Sequence, residues 1–301
     1  MKQLLIFFLM LAQFAHTQQI KVISVEKIKA ADGGGYFYPR ISPDNQFILM
    51  SRGNYSGLYR YSLADKSMKT LNEDPAAGYK VQISDDGNTV LYTKSELIRN
   101  LRHNSLISQS IATGQKKVLV QSTREPIAAR MVNSSPVYVT KRAMVKPKSM
   151  KRTDNTCLVT VEDRKMILYN NGIRTELTPN GAGCSYIWPS ISPDNSHIVY
   201  TVAGKGTFVC SLTGKNAVSL GKLSAPAWAG NEYVVGMDDR DDGEKIISST
   251  IIISSIDGKN RRQAETPPGI KAMYPTASKD GSLIVFNSDE GEIYLMKIQL
   301  K

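Results

Sequence analysis

The feature that most constrains this chain is a string that recurs along it. Tyr38-Pro39-Arg40-Ile41-Ser42-Pro43-Asp44-Asn45 runs into Phe47-Ile48-Leu49-Met50-Ser51, and Trp188-Pro189-Ser190-Ile191-Ser192-Pro193-Asp194-Asn195 runs into Ile198-Val199-Tyr200-Thr201. A third copy, Tyr274-Pro275-Thr276-Ala277-Ser278-Lys279-Asp280-Gly281, precedes Leu283-Ile284-Val285-Phe286. A fourth, Gln82-Ile83-Ser84-Asp85-Asp86-Gly87, precedes Val90-Leu91-Tyr92-Thr93, and weaker copies begin at Ala225-Pro226-Ala227-Trp228 and Glu125-Pro126-Ile127. Self-similarity of this kind points to one repeat architecture rather than two ordinary domains.

Each copy encodes a hairpin. An apolar strand ends at Ser, Pro presets φ for a turn, and Asp followed by Asn or Gly supplies positions that tolerate positive φ. A second strand follows, then a third closed by a polar turn, as in Leu58-Tyr59-Arg60-Tyr61-Ser62-Leu63 before Ala64-Asp65-Lys66. A fourth strand such as Lys116-Lys117-Val118-Leu119-Val120 completes the unit. Four antiparallel strands per unit is the blade of a β-propeller. Ser42 and Ser278 lie 236 residues apart, and five intervals give about 47 residues per unit, within the propeller range. The expectation is therefore an all-β, six-bladed propeller of four-stranded blades. The alternating apolar segment after Gln19 supplies the outer strand that the last unit lacks and closes the ring, since an open edge invites aggregation.

The repeat resembles the WD-like propeller repeat of the TolB family and of the N-terminal propeller of prolyl oligopeptidases. The resemblance covers nearly the whole chain beyond the N-terminal segment. It implies a propeller that holds a protein partner, associated with a cell envelope.

Met1-Lys2-Gln3 and the apolar run from Leu4 to Ala12 read as a secretory signal. The run is about half the length a membrane-crossing helix needs. The expected organisation is a signal peptide over residues 1–17 and a single propeller domain over 18–301, exported to a periplasm or secreted, with no transmembrane span. The formal net charge is +11, which favours acidic partners; an exported protein seldom meets nucleic acid, so none is expected. Three cysteines, Cys157, Cys184 and Cys210, are too few and too far apart for a metal site or a disulfide framework. Cys157 and Cys210 sit in apolar strands and read as buried thiols; a disulfide through Cys184 stays open.

The residues around each Pro approach the central channel at one mouth. These are Tyr38 and Arg40, Tyr79 and Lys80, Arg130, Trp188, Trp228 and Tyr274, with Ser190 and Thr276 beside them. Aromatics and cations converging on a funnel suit a peptide, a carboxylate or a sugar, whereas the same aromatics could serve only to pack blade on blade. Lys141, Arg142, Lys146, Lys148, Lys151 and Arg152 form a basic run without an acid, read as a solvated loop that could meet an anionic glycan or membrane surface. The acidic run from Asp238 to Glu244 contains Arg240 where a calcium loop needs a ligand, and reads as a hairpin tip. His103 and His197 lie in different units and no G-x-S-x-G occurs. No catalytic residue, metal or cofactor is expected. The leading reading is a non-catalytic propeller binding a protein; its rivals are a glycan-active or glycan-binding propeller enzyme with paired channel carboxylates, and a small-ligand sensor.

Overall fold

The computed structural model describes residues 20–30, 33–150 and 156–300. The expected signal segment lies outside the described residues, as do Lys151 and Arg152 of the basic run. The chain is antiparallel β-structure. β1 (Lys21–Ile28) comes first; blade 1 holds β2 (Phe37–Ile41), β3 (Phe47–Ser51), β4 (Leu58–Ser62) and β5 (Met68–Asn72). Blade 2 holds β6 (Gln82–Ile83), β7 (Thr89–Ile98), β8 (Leu101–Ser110) and β9 (Lys116–Thr123). Blade 3 is β10 (Ala128–Val132), β11 (Ser135–Thr140) and β12 (Ala143–Val145), and blade 4 is β13 (Cys157–Glu162), β14 (Lys165–Asn170) and β15 (Ile173–Leu177). Blade 5 holds β16 (Tyr186–Ile191), β17 (His197–Val202), β18 (Gly206–Ser211) and β19 (Val218–Gly221). Blade 6 holds β20 (Ser224–Ala229), β21 (Tyr233–Asp241), β22 (Ile246–Ser255) and β23 (Arg261–Gln263). Blade 7 holds β24 (Met273–Ala277), β25 (Leu283–Asn287) and β26 (Ile293–Gln299), with β1 as the neighbour of β26.

Seven blades, not the expected six, are therefore present, and two of them have three strands among the described residues. The error lies between Ser84 and Ser192, a stretch of 108 residues that holds three blades rather than two units, the second and third of them short. Blades 3 and 4 turn on two-residue hairpins: Asn133-Ser134, Lys141-Arg142, Asp163-Arg164 and Asn171-Gly172 all carry positive φ. Such tight turns match the right-handed twist of the strands, and they need neither the Pro nor the Ser-x-Asp of the other repeats. The degenerate third unit was in fact two blades without the signature.

The signature itself is a hydrogen-bonded box. Ser192 Oγ donates to Asp194 Oδ1 at 2.6 Å and accepts the amides of Ser196 and His197 at 3.1 and 2.9 Å. Ser42, Ser84 and Ser278 repeat the arrangement with Asp44, Asp86 and Asp280. All four serines are fully buried or nearly so. Their hydroxyls satisfy amides that would otherwise be orphaned at the strand start, so Ser and Asp here are structural.

The apolar cores sit between adjacent blades. Phe47, Leu49 and Leu58 of blade 1 meet Val90, Tyr92 and Ile107 of blade 2. Met166 and Leu168 of blade 4 meet Ile198, Tyr200 and Cys210 of blade 5. Ile41, Ile48 and Met50 of blade 1 meet Val285, Ile293 and Leu295 of blade 7. Cys157 and Cys210 are buried, in the same cluster, and Cys184 lies half-buried against it. Between blades 2 and 3 a polar bridge joins the inner strands: Gln82 donates Nε2–H to the Ala129 carbonyl at 2.6 Å and accepts the Met131 amide at 2.7 Å.

Candidate functional site at the aromatic mouth

The box ends each inner strand at one face of the disc, so the residue before each Pro lies at the opposite face. Its backbone is unusual. The inner strands carry register shifts between Phe37 and Arg40, Ile187 and Ser190, Ser224 and Ala227, and Met273 and Thr276. Inside each bulge the residue preceding Pro is left-handed: Tyr38, Trp188, Ala225 and Tyr274 have φ of 55°, 53°, 49° and 50°. Such φ is uncommon for bulky residues. The proline supplies no ladder donor, and the bulge re-aims the side chain that precedes it. The repeat thus places aromatic side chains at one mouth by a backbone device encoded in the aromatic-Pro pair.

Three of these expected tyrosines join one arc through a fourth residue. Tyr274 of blade 7 sets its ring edge against Tyr38 of blade 1, with centroids 4.8 Å apart. Tyr38 stacks on Tyr55 at 3.7 Å, and Tyr55 meets Tyr79, ahead of blade 2, at 5.2 Å. Tyr55 sits in the 3-10 turn Gly53–Tyr55 between β3 and β4, and sequence reasoning missed it. A signal existed: β3 runs antiparallel to β2, so the loop Gly53-Asn54-Tyr55-Ser56-Gly57 must emerge at the aromatic face. Burial raises the Tyr55 pKa well above that of an ordinary phenol, and Tyr38, Tyr274 and Tyr79 push it further in the same direction. The Tyr55 hydroxyl is therefore neutral at physiological pH, a donor as well as an acceptor.

Arg40 and Lys80 lie along the same wall. Arg40 borders a cavity of about 220 Å³ between the inner strands of blades 1, 2 and 7, lined also by Gln82 and Thr276 and by no acidic side chain. The Lys80 ammonium lies 5.6 Å from the Tyr79 ring centroid, within cation–π range. Arg40 is half-buried and Lys80 exposed. Partial burial lowers the pKa of each, and the Arg40 charge lowers that of Lys80 further. A second cavity of about 270 Å³ lies behind Tyr38 and Tyr274, bordered by Lys245, Lys271 and Asp289, none of which the repeat pattern singled out. There Lys271 pairs with Asp289 at 2.6 Å.

The other expected residues have different surroundings. Arg130 donates from Nη1 to the Cys157 carbonyl at 2.9 Å and to Asn195 Oδ1 at 2.6 Å, and from Nη2 to the Ser192 carbonyl at 3.5 Å. It ties blades 3, 4 and 5 together. Trp228 is buried, with Nε1–H donated to the Ser190 carbonyl at 3.1 Å, and packs with Val199 and Leu223 between blades 5 and 6. Trp188 is 41 % exposed and Tyr79 47 %. Ser190 and Thr276 are half-buried, and Thr276 donates its hydroxyl to the Pro39 carbonyl at 2.8 Å.

Two long hairpins rise on the same face. The β7–β8 tip exposes Leu97, Ile98 and Leu101 beside Arg99 and Arg102, and the β21–β22 tip carries the acidic run. Among the described residues no group of three or more His, Cys, Asp or Glu is placed to hold a metal ion, and no helix is long and apolar enough to cross a membrane.

No protein-family model matches the chain, and no curated protein sequence matches it. Solved structures do. The TolB of Acinetobacter baumannii is similar over 81 % of this chain at 16 % identity with a TM-score of 0.55, and this chain spans 57 % of its length. An Agrobacterium tumefaciens protein assigned as TolB is similar over 88 % of this chain and 90 % of its own, at 16 % identity and a TM-score of 0.54. The β-propeller domain of Myceliophteria thermophila Cps50 (Swd1) is similar over 94 % of this chain and 100 % of its own, at 9 % identity and a TM-score of 0.60. At these identities the likeness is one of fold. The chain has the fold of a TolB-like β-propeller.

Proposed function

We propose that this chain is a non-catalytic binding propeller that holds a protein partner at its aromatic mouth. The arc Tyr274–Tyr38–Tyr55–Tyr79 is the observation that carries the reading. Tyrosine offers a large, rigid contact area with a polar tip at little entropic cost, which is why it recurs in protein-binding surfaces. Tyr79 and Trp188 are the exposed anchors of this surface. The tyrosine arc and the cavity beside Arg40 offer no carboxylate, whereas a glycosidase-type acid and base would need two.

The same reading places the protein outside the cytoplasm, with the Met1 to Thr17 segment as its export signal and an envelope-associated partner. It treats residues 18–301 as one domain and β1, on the edge of blade 7, as the strand that closes the ring. Capture from the native envelope tests it. The wild-type chain should retain a protein that the double variant Tyr79→Ala, Trp188→Ala does not, and retention by both would remove the mouth from the account.

A further inference from the structure

Blades 3 and 4 stop at three strands among the described residues, where the other blades have four. The outermost strand of blade 4 is β15, and it pairs only with β14. The tight turn Asn171-Gly172 fixes which way its backbone points. Both turn residues have positive φ, 50° and 89°, and a two-residue turn of this kind closes on a hydrogen-bonded pair, here Asn170 and Ile173. Antiparallel pairs alternate between hydrogen-bonded and non-hydrogen-bonded. Ile173, Thr175 and Leu177 therefore direct their amides and carbonyls to β14, and Arg174 and Glu176 direct theirs outward at the rim. No described backbone group bonds them there. Ile173, Arg174, Thr175 and Glu176 are all exposed, Ile173 at 70 %.

An open strand edge is a template for another strand, and the residues of β15 select which. Ile173-Arg174-Thr175-Glu176-Leu177 has the same chemistry in both directions: apolar residues at the ends, opposite charges inside them, Thr at the centre. Set antiparallel against a second β15 about Thr175, Arg174 comes opposite the copy's Glu176, and Ile173 opposite the copy's Leu177. Outward backbone groups meet outward ones in this register, which gives about four main-chain hydrogen bonds. Opposite charges directly across a sheet stabilise the pairing. They also extend an existing row. Arg174 Nη2 donates to Glu162 at 2.6 Å and Lys165 pairs with Glu176 at 3.0 Å, so on pairing the charges alternate Glu162, Arg174, Glu176, Lys165 across the two chains. By contrast, β9 opens on Lys116 and Lys117 and β23 on Arg261 and Arg262, edges of one sign that repel a copy of themselves.

We propose that β15 is a self-pairing edge through which two copies of this chain join as a two-fold dimer, blade 4 to blade 4, in one continuous sheet. The contact is isologous, so it occupies both edges and stops at two chains. It lies on the rim and leaves both aromatic mouths uncovered, so it stands or falls apart from the reading of the mouth.

The test is the mass of the whole chain in solution, by sedimentation, over roughly 1–200 μM, the range suited to a small interface. The wild-type mass should double as concentration rises. Glu176→Arg and Arg174→Glu each put like charges across the two-fold axis and should remain single chains alone. An equimolar mixture of the two should dimerise, since each variant then meets opposite charges, and that recovery separates pairing from misfolding. Disulfide capture reads the register. Thr175 lies opposite itself in a non-hydrogen-bonded pair, where Cα atoms approach to about 4.5 Å, within disulfide reach. Thr175→Cys should therefore yield a covalent dimer on mild oxidation, and the wild-type chain and Ile173→Cys should not. A wild-type mass that stays that of one chain overturns the edge pairing. So does a mixture that stays unpaired, or a dimer that persists in both charge variants and gives no link through Thr175→Cys.

Discussion

The rings of Tyr38 and Tyr55 lie 3.7 Å apart and within 20° of parallel, one on the innermost strand of blade 1 and the other in the loop that follows its second strand. Tyr55 is the keystone of the arc, since it contacts both Tyr38 and Tyr79. Tyr55→Ala should reduce partner binding more than removal of either terminal tyrosine. Its effect on folding should stay near 0.5–1.5 kcal/mol per ring pair lost, read by urea denaturation alongside partner capture.

The serine boxes make the opposite prediction. Ser192→Ala removes a fully buried hydroxyl and leaves the His197 amide without its acceptor, while the Ser196 amide keeps Asp194 Oδ1. The expected loss is about 1–3 kcal/mol of stability, with partner capture unchanged for the fraction that remains folded. Trp188→Ala should show the reverse pattern, because its side chain is exposed.

Two arginines on inner strands should separate in the same way. Arg130→Met breaks three bonds between blades and should cost about 2 kcal/mol or more, since hydrogen bonds from a charged donor are the stronger kind. Arg40→Met relieves repulsion with Lys80 and should leave the melting temperature unchanged or raise it.

The turn aspartates set the acid limit. Hydrogen bonds from Ser84 and Ser255 hold the Asp86 and Asp257 carboxyls below the usual carboxylate range. For Asp194 and Asp280 burial acts upward, but the bonds from Ser192 and Ser278 and from nearby amides outweigh it. A carboxyl whose pKa is lower in the folded chain than in the unfolded one adds stability above the unfolded value, and that stability is lost as pH falls through the folded value. The urea midpoint should hold from neutral pH to about 5 and fall below about 4. Asp194→Asn should weaken the protein at neutral pH and flatten this dependence.

The propeller itself was legible because the Ser-x-Asp box is a local device: a buried hydroxyl and a carboxylate organise a turn within a few residues, and the same chemistry leaves the same letters each time. Blades 3 and 4 escaped because turns such as Asn133-Ser134 and Asp163-Arg164 do the same work through φ alone, and side chains of ordinary type leave little trace of it. The mouth was legible in part. Tyr38, Tyr274 and Trp188 are fixed by the residue that follows them, whereas Tyr55 depends on which way a loop leaves its strand. Trp228 lies two residues after its Pro, in the buried register place that Ile41 and Ile191 hold, and the mouth position of that blade is Ala225. Arg130 lies on an inner strand as expected, but its donors turn to neighbouring blades, a choice made by residues far away in sequence such as Asn195.

A photo-crosslinking amino acid placed in turn at position 79, at position 188 and at Glu232, which is exposed on the opposite, turn-bearing face, tests the central claim most directly. Crosslinks to one and the same protein from positions 79 and 188, with none from 232, are the expected result. Crosslinks from 232 alone, or none from the aromatic face while the folded chain is present at its native site, would contradict the assignment of the mouth as a protein-binding surface.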